Sequence, residues 1–373
     1  MWLFFFTSLK WQKYKIAYLK QVVLQGILNF LININFIFLR TYIITLSYPK
    51  MRIITREDLS DIYIKFHQRG LPFLLSKINS NPFQRTKSAF NDSTLETSSF
   101  WIIPAVTKRW NKLITGNEDM LYEEYLTNTY FKNKEKIKIL ALGTGVCSHE
   151  IRLAEMNPNC EIECYDFSDE LLKKAKVISE AKQLENISYF AKNIIEHDFK
   201  NEKYDVVFFH ASLHHFNRIS EFMDQVVIKN LKAKGLLIIN EFVGATRLQY
   251  STMQLDYINR AIKTIPKEYR KIFKTEIYKN RYYGSGALRM IIADPSECVD
   301  SASIIPAIHQ KFHVLEEKFY GNNILQSALK DISHHFLELN PEKQEVLEKV
   351  FALEDELLEK HPSDYVFGIY QLK

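Results

Sequence analysis

Cysteine is scarce in this chain, and the few cysteines present are spaced too irregularly to form a structural framework. Four cysteines occur in 373 residues, at positions 147, 160, 164 and 298, with no C-x-x-C pair among them. A disulfide scaffold or a structural zinc site needs ligands at defined spacings, so neither is predicted. The sequence instead predicts reduced cysteines, as in cytoplasmic proteins, and no metal site.

An excess of charge of one sign is also lacking. Lys and Arg number 49 against 44 Asp and Glu, which leaves a net charge of +5 that is spread along the chain. Because nucleic-acid-binding surfaces concentrate basic residues, no nucleic acid partner is expected. The remaining composition, 46% hydrophobic and 25% charged, is that of a globular protein with a substantial core.

The first fifty residues lack a secretory signal, because no small-residue cleavage site follows a short apolar core. They do contain a charge-free run of 19 residues, Gln21 to Leu39, which is long enough to cross a bilayer. Such a span would be costly, because the run contains Gln25, Asn29, Asn33 and Asn35. Residues 1–50 are therefore interpreted as a marginal membrane anchor, an apolar helix packed on the domain, or a non-native extension before Met51. The protein is expected in the cytoplasm, and membrane association through this segment stays open.

The pattern changes near residue 136. Residues 51–135 are mainly helical and predict a cap region, whereas short apolar runs alternate with amphipathic helices afterwards, as in a parallel sheet with crossover helices. The predicted strands are Ile137–Leu142, Glu161–Tyr165, Ile187–Phe190, Asp205–His210, Leu236–Asn240, Phe312–Phe319 and Asp364–Leu372. The domain would span residues 136–373, with a lid segment inserted at about 247–306.

A glycine pair follows the first predicted strand, in the run LALGTGVCSHE. Glycine at a strand-to-helix turn lets a ligand approach the backbone near a helix amino terminus. Leu142, Gly143, Thr144 and Gly145 are therefore candidate cofactor contacts. A tight structural turn would explain the glycines equally well.

The next two strands end in further candidates. Asp166 lies about twenty residues past the glycines and is followed by Phe167, and a carboxylate in this place can accept both hydroxyls of a ribose, in NAD as in S-adenosylmethionine (SAM). Asn193 follows the third strand, where it would face an adenine or simply shape its loop.

The fourth and fifth strands carry the candidate catalytic groups. The run HASLHHF places Ala211 and Ser212 beside the cofactor edge, followed by His214 and His215. Either histidine could act as a base near neutral pH. Glu241 ends the fifth strand, where a carboxylate could orient a substrate or take a proton.

Taken in order, these segments resemble class I SAM-dependent methyltransferases, over roughly Phe100 to the end of the chain. The runs FWIIPAVTKRWNKLITG, NEFVGATRLQY and DPSECVDSASIIP are similar to a bacterial subgroup of that family, in which the first run is expected to cap the cofactor. The resemblance implies SAM as cofactor. It also implies an α/β, Rossmann-like sheet of seven mostly parallel strands with an antiparallel last strand, flanked by helices and preceded by a helical cap.

Two positions depart from the family pattern. Cys147 stands where a third glycine is expected and could crowd the methionine part of SAM, and Lys192 stands where an acidic residue would precede Asn193. The sequence favours methyl transfer to a small-molecule acceptor, at a hydroxyl or another polar group of that molecule. A non-catalytic SAM-binding scaffold and, less favoured, an NAD(P)-dependent dehydrogenase are the alternatives.

The lid segment suggests the acceptor's polarity. It contains Arg281, Tyr282, Tyr283 and Arg289, which favour a polar or anionic acceptor. A solvated helical lid would have the same composition.

Overall fold

The computed structural model describes residues 51–76, 99–132, 134–200 and 202–373, and within them seven strands form one sheet in the order β3-β2-β1-β4-β5-β7-β6. The strands are β1 Ile137–Leu142, β2 Cys160–Asp166, β3 Ile187–Ala191, β4 Tyr204–His210, β5 Leu231–Phe242, β6 Phe312–Gly321 and β7 Tyr365–Leu372. Strands β1 to β5 pair in parallel, whereas β7 lies antiparallel between β5 and β6. The predicted fold class is confirmed.

Helices precede β1 and lie between the later strands. They are α1 Arg56–Ser76, α2 Pro104–Thr115, α3 Tyr122–Leu126, α4 Ser148–Met156, α5 Asp169–Ala181, α6 Ile219–Phe222, α7 Thr252–Thr264, α8 Ala287–Ala293, α9 Ile304–Lys311, α10 Leu325–Leu329 and α11 Pro341–Leu358. Helices α3 and α6 continue as π-helical turns. Ser168 caps α5 by accepting a hydrogen bond from the Leu171 amide, as its position in the sequence predicts.

Both faces of the sheet are buried, because successive residues of each strand point to opposite sides. In β1, Ile139 and Ala141 pack against α4 and α5, whereas Leu140 and Leu142 pack against α6 and α9. A third core joins α2, α7, α10 and α11. The cap region and the lid segment, residues 247–306, therefore share one helical body beside the sheet.

The fifth strand begins earlier than predicted. The sequence predicts it from Leu236, but the helical residues end at Asn230 and Leu231 already belongs to β5, where it pairs with Tyr204 across a bulge. Leu231 is almost fully buried, so pairing and burial at the sheet override its helical propensity.

The membrane-anchor and extension hypotheses concern the amino-terminal segment. Among the described residues, none of the helices combines the length and the apolar character that crossing a bilayer requires. Residues 1–50, which carry the anchor and extension hypotheses, lie outside the described residues. The division at residues 51, 136 and 247 stays a prediction.

Candidate active site

The turn after β1 has a backbone that only glycine adopts easily. Gly143 and Gly145 have φ of +71° and +55°, in the left-handed region. A Cβ on Gly143 would lie 2.8 Å from the Cβ of Ser212, whereas a Cβ on Gly145 would meet no atom within 4 Å. Gly143 thus permits close packing against the β4 loop, and Gly145 leaves open space over the turn at the amino terminus of α4.

The β4 loop is fastened to this turn. The Ser212 hydroxyl donates to the Leu142 carbonyl at 2.8 Å, and Ala211 adopts a left-handed φ of +46°. Four of the predicted cofactor contacts, Leu142, Gly143, Ala211 and Ser212, therefore meet at the carboxyl edge of the sheet. In parallel α/β sheets this edge is where ligands bind.

Cys147, at the third-glycine position, is accommodated by the core. Its φ is +53° and its side chain is completely buried. The thiol lies 3.1 Å from the Thr144 hydroxyl and packs in the cluster that contains Ile151 and Cys164. The side chain therefore occupies the interior below the turn, and the space over Gly145 stays open.

Asp166 is a buried carboxylate that holds the turn. One of its oxygens accepts the Gly145 amide at 2.9 Å, and the other accepts the Ser168 amide at 2.7 Å. Burial raises the pKa of Asp166, and the backbone amides oppose that shift. A carboxylate can accept about four hydrogen bonds, so capacity remains for a ligand hydroxyl.

Asn193, predicted to face an adenine, is exposed, and its side-chain oxygen accepts the Ile195 amide at 3.3 Å. This is a local turn, and an adenine contact stays a prediction. Lys192 is exposed as well, and its amide donates to the Asp166 carbonyl at 2.8 Å. The departure at Lys192 therefore leaves the connection between β2 and β3 intact.

Glu241 is fully buried and supports the β4 loop. Its Oε2 accepts the amides of Ser212 and Leu213 at 2.8 and 2.6 Å, and its Oε1 accepts its neighbour's amide, from Phe242, at 2.7 Å. His214 Nδ1 lies 2.5 Å from the same Oε1. These contacts use the accepting capacity of the carboxylate. They favour a positioning role, and the predicted proton-accepting role stays untested.

The two neighbouring histidines have opposite electrostatics. Burial alone would lower the pKa of His214, but the adjacent Glu241 carboxylate overrides it and raises the pKa to about 9. Burial, together with the charge of His214, lowers the pKa of His215. At neutral pH, His214 is thus a cation paired with Glu241, and His215 is neutral.

His215 contacts a segment of the lid that sequence analysis left without a role. Its Nδ1 lies 3.1 Å from the Ser296 hydroxyl oxygen, and Ser296 in turn donates to Asp294 Oδ1 at 2.7 Å. Because the hydroxyl gives its only proton to Asp294, Nδ1 of His215 must be the donor in the other bond. The ring proton is therefore assigned to Nδ1, and Nε2 is the accepting nitrogen, 3.9 Å from Glu297 Oε2.

Backbone hydrogen bonds hold residues 294–299 of the lid segment against the edge of the sheet. The Val299 amide donates to the His214 carbonyl at 3.2 Å, and the Arg247 amide donates to the Cys298 carbonyl at 2.7 Å. The Arg247 guanidinium also donates to the carbonyls of Pro295 and Glu297. The signal in the sequence was the run DPSEC, which concentrates two acids, a hydroxyl and a thiol in five residues.

The same side chains bring together potential metal-ligating atoms. His214, Glu297 and Cys298 form one group, and His215, Asp294 and Glu297 form another, each with its atoms within 4.8 Å of one another. Hydrogen bonds already engage His214 Nδ1, His215 Nδ1 and Asp294 Oδ1. The predicted absence of a metal is not tested by this geometry.

The cap region contributes a second contact that sequence analysis missed. The Tyr122 hydroxyl lies 2.8 Å from His210 Nδ1, and the rings of His210 and His149 stack with centroids 3.5 Å apart. Buried Glu123 accepts His149 Nδ1 and the Arg152 guanidinium, each at 2.6 Å. Helix α3 is thereby fixed to α4 and to the end of β4, beside the open turn.

The FW…RW run of the cap lies elsewhere. Arg109 forms ion pairs with Glu354 and Asp355 of α11. Phe100 and Trp110 pack together in the helical body, with ring centroids 5.5 Å apart. The expectation that this run caps the cofactor stays a prediction.

Comparison with known proteins identifies the domain. A family model described as a methyltransferase domain matches residues 133–286. No curated protein sequence matches the chain.

Solved structures with a similar backbone include the plantazolicin methyltransferase BpumL in complex with SAH, at 15% identity, 85% coverage of this chain, 98% coverage of that chain and a TM-score of 0.36. They also include the [4+2]-cyclase SpnF, at 11% identity, 67% coverage of this chain, 79% coverage of that chain and a TM-score of 0.41. YjhP from E. coli is similar at 14% identity, 72% and 98% coverage and a TM-score of 0.37.

The match covers residues 133–286, which include β1 to β5, and the sheet order with its antiparallel β7 is that of a Rossmann-like methyltransferase fold. SAM is the cofactor that the resemblance in the sequence implies. The residues present fit that group, because the space over Gly145 is open and the Asp166 carboxylate beside it retains accepting capacity.

Proposed function

We propose that this methyltransferase transfers the methyl group to a hydroxyl of a small molecule, with His215 accepting the hydroxyl proton. The observation that carries the proposal is the hydrogen-bond chain from Asp294 through Ser296 to His215 Nδ1, which puts the accepting nitrogen of a neutral imidazole at the edge of the lid. A hydroxyl is a weak nucleophile, so a positioned base accelerates its methylation.

We further propose that the cofactor contacts are those predicted from the sequence: Leu142, Gly143, Thr144, Gly145, Asp166, Phe167, Asn193, Ala211 and Ser212. Asp166 would accept ribose hydroxyls, and the backbone of the turn would approach the methionine portion. When bound, SAM supplies a methyl group already activated by its positive sulfonium. The remaining work of the protein is to align the acceptor and exclude water.

His214 and Glu241 support the base without contacting the acceptor. The amides of Ser212 and Leu213 are fixed by Glu241, and this shapes the backbone from which the next residue, His215, projects. The positive charge of His214 helps to keep His215 neutral at physiological pH. We therefore assign positioning roles to His214 and Glu241, and the catalytic role to His215.

The reaction balances without another reactant. SAM would supply the methyl group to the acceptor oxygen and would keep the electron pair of its carbon–sulfur bond, so that no oxidant or reductant would be needed. The hydroxyl proton moves to His215 Nε2. The resulting imidazolium is stabilised by the Glu297 carboxylate, whose pKa burial would raise but whose neighbours His215 and His214 lower below its ordinary value.

The test is the variant His215→Asn, which keeps a donor for Ser296 but lacks the accepting nitrogen. We expect kcat to fall by about 10²- to 10⁴-fold, with unchanged SAM affinity by calorimetry. The exposed His313→Asn is the matched control. In the native enzyme the rate should decline as the pH falls through the lowered pKa of His215, because the protonated ring cannot accept a proton.

Three outcomes would contradict the proposal. Unchanged turnover in His215→Asn would remove the base. Binding of SAM with no methylated product from any acceptor would support the non-catalytic alternative. Binding of NAD in place of SAM would support the dehydrogenase alternative.

A further inference from the structure

Helix α1 is amphipathic, and its apolar side faces away from the domain. Leu59, Ile62, Tyr63 and Phe66 follow the i, i+3, i+4 and i+7 spacing of one helical face. Together with Ile54, just before the helix, their exposed fractions lie between 44% and 67%. A helix on the surface of a protein ordinarily buries its apolar face, so this orientation calls for a partner that covers it.

The opposite side of α1 is acidic and is buried against the lid. Asp58 and Asp61 are both buried and form ion pairs with Arg289 at 2.9 and 2.5 Å. Glu57, the remaining acid of the helix, accepts the Tyr283 amide at 3.0 Å. Because it is costly to separate the partners of a buried ion pair, these contacts fix the rotation of α1 and keep its apolar side outward.

The exposed apolar side chains of α1 are concentrated in a short stretch. Twenty large hydrophobic side chains are exposed in the described part of the chain, and five of them lie within the thirteen residues from Ile54 to Phe66. Single exposed apolar residues are common on soluble proteins, whereas a contiguous apolar patch marks an interaction site. The α1 surface is the name used below for the side chains of Ile54, Leu59, Ile62, Tyr63 and Phe66.

The sequence that precedes the α1 surface is basic. Residues 1–50 contain six Lys or Arg residues, at positions 10, 13, 15, 20, 40 and 50, and no Asp or Glu. Arg56, in the first turn of α1, is exposed, whereas the acids of the helix face the lid. Basic residues beside an apolar helix face are the combination that holds a protein on a bilayer with anionic lipids.

This charge favours a bilayer over two other partners. Two copies that pair through the α1 surface would bring their basic segments together, and like charges oppose association. The apolar run Gln21–Leu39 could cover α1 of its own chain, but such packing would make no use of the cations around it. Anionic headgroups attract each of those cations, within a Debye length of about 10 Å at 0.1 M salt.

We propose that the α1 surface and the basic segment before it bind one leaflet of a bilayer that contains anionic lipids. The apolar side chains enter the boundary between headgroups and acyl chains, and the cations stay at the phosphates. Stable attachment usually takes an apolar and a basic contribution together, and this part of the chain supplies both. The attachment requires no membrane-spanning helix and does not depend on the role of His215.

The test is flotation of the full chain with vesicles of phosphatidylcholine and with vesicles that also contain about 25% phosphatidylglycerol. We expect the chain to bind the anionic vesicles at least about tenfold more tightly than the neutral ones. Because salt screens the headgroup charge, this difference should shrink when sodium chloride is raised from about 0.1 to 1 M. Equal binding to both kinds of vesicle, or binding to neither, would overturn the proposal.

A double variant in the full chain tests the part of α1. Ile62→Gln with Phe66→Gln removes two exposed apolar side chains, so the fold and the SAM affinity measured by calorimetry should be unchanged. We expect about tenfold weaker binding to the anionic vesicles. The matched control is Val177→Gln with Ile178→Gln, on the exposed side of α5, which should bind as the native chain does. Unchanged binding of the α1 variant would show that the α1 surface does not contact lipid.

The other two partners give different results with the same α1 variant. If the chain binds no vesicles and is a dimer that the variant converts to a monomer, a second copy covers the α1 surface. If it binds no vesicles and is a monomer whose residues 1–50 become sensitive to protease in the variant, the amino-terminal segment covers it. Either result would overturn the proposal.

Discussion

The buried pair of His214 and Glu241 should give the fold a pH dependence that can be measured directly. Glu241 raises the pKa of His214 to about 9, compared with about 6.5 for a histidine in an unfolded chain. Because the folded state holds this proton more tightly, the contribution of the pair is fully present below about pH 6.5 and is lost as the pH rises through about 9. At 1.36 kcal/mol per pKa unit, the loss is about 3 kcal/mol.

The assay is denaturant unfolding of the native chain and of His214→Asn at a series of pH values from about 6 to 9.5. The difference in unfolding free energy should shrink by about 3 kcal/mol across this range. Burial lowers the pKa of Lys279 to about 8, so its titration raises stability at the alkaline end. Both proteins contain Lys279, and the difference between them removes its contribution.

His313, which is exposed, provides the control. The exposed His313→Asn should differ from the native chain by an amount that does not vary with pH. A pH-independent difference for His214→Asn would show that His214 is not held as a cation, and would remove the electrostatic reason for a neutral His215. In Glu241→Gln, NMR titration should show a lower His214 pKa than in the native chain, because Glu297 and Asp294 oppose the effect of burial less strongly than Glu241 does.

Two further predictions concern the turn after β1. Gly143→Ala should abolish SAM binding, measured by calorimetry, and lower the free energy of unfolding, because its Cβ would lie 2.8 Å from that of Ser212. The control is Gly116→Ala, where φ is similar at +83° but the added Cβ would meet no atom within 4 Å. This control should lose only about 1–2 kcal/mol of stability and should bind SAM normally. Cys147→Gly should keep SAM affinity within about threefold, because the thiol lies in the core. A large gain in affinity would show that Cys147 crowds the cofactor.

The sheet was predictable because strands that are buried on both faces are short continuous apolar runs in the sequence. The predicted β1 has the observed bounds, and the other strands are placed within a few residues, since each is an apolar run between helix caps and polar turns. The start of β5 was not predictable, because Leu231 is separated from the apolar run by Lys232 and Lys234 and is held by pairing with β4. Local composition carries no information about such a partner.

The candidate site also has residues whose proximity the sequence predicts and residues whose position it does not predict. Residues at the ends of consecutive parallel strands, such as Gly145, Asp166 and Ser212, are brought together by topology, so their proximity follows once the sheet is predicted. Ser296 reaches the site through the lid, over a long and irregular connection. Its role depends on hydrogen bonds to His215 and Asp294, which the sequence alone does not reveal.

The position of β7 also sets the order in which the molecule can be completed. Its two neighbours, β5 and β6, are synthesised earlier, and β5 ends about 120 residues before β7 begins. At ~5–20 residues per second, the apolar edge of β5 waits roughly 6 to 25 s for its partner. An unpaired apolar edge is a site of aggregation. The nascent chain should therefore depend on protection of this edge until β7 is made.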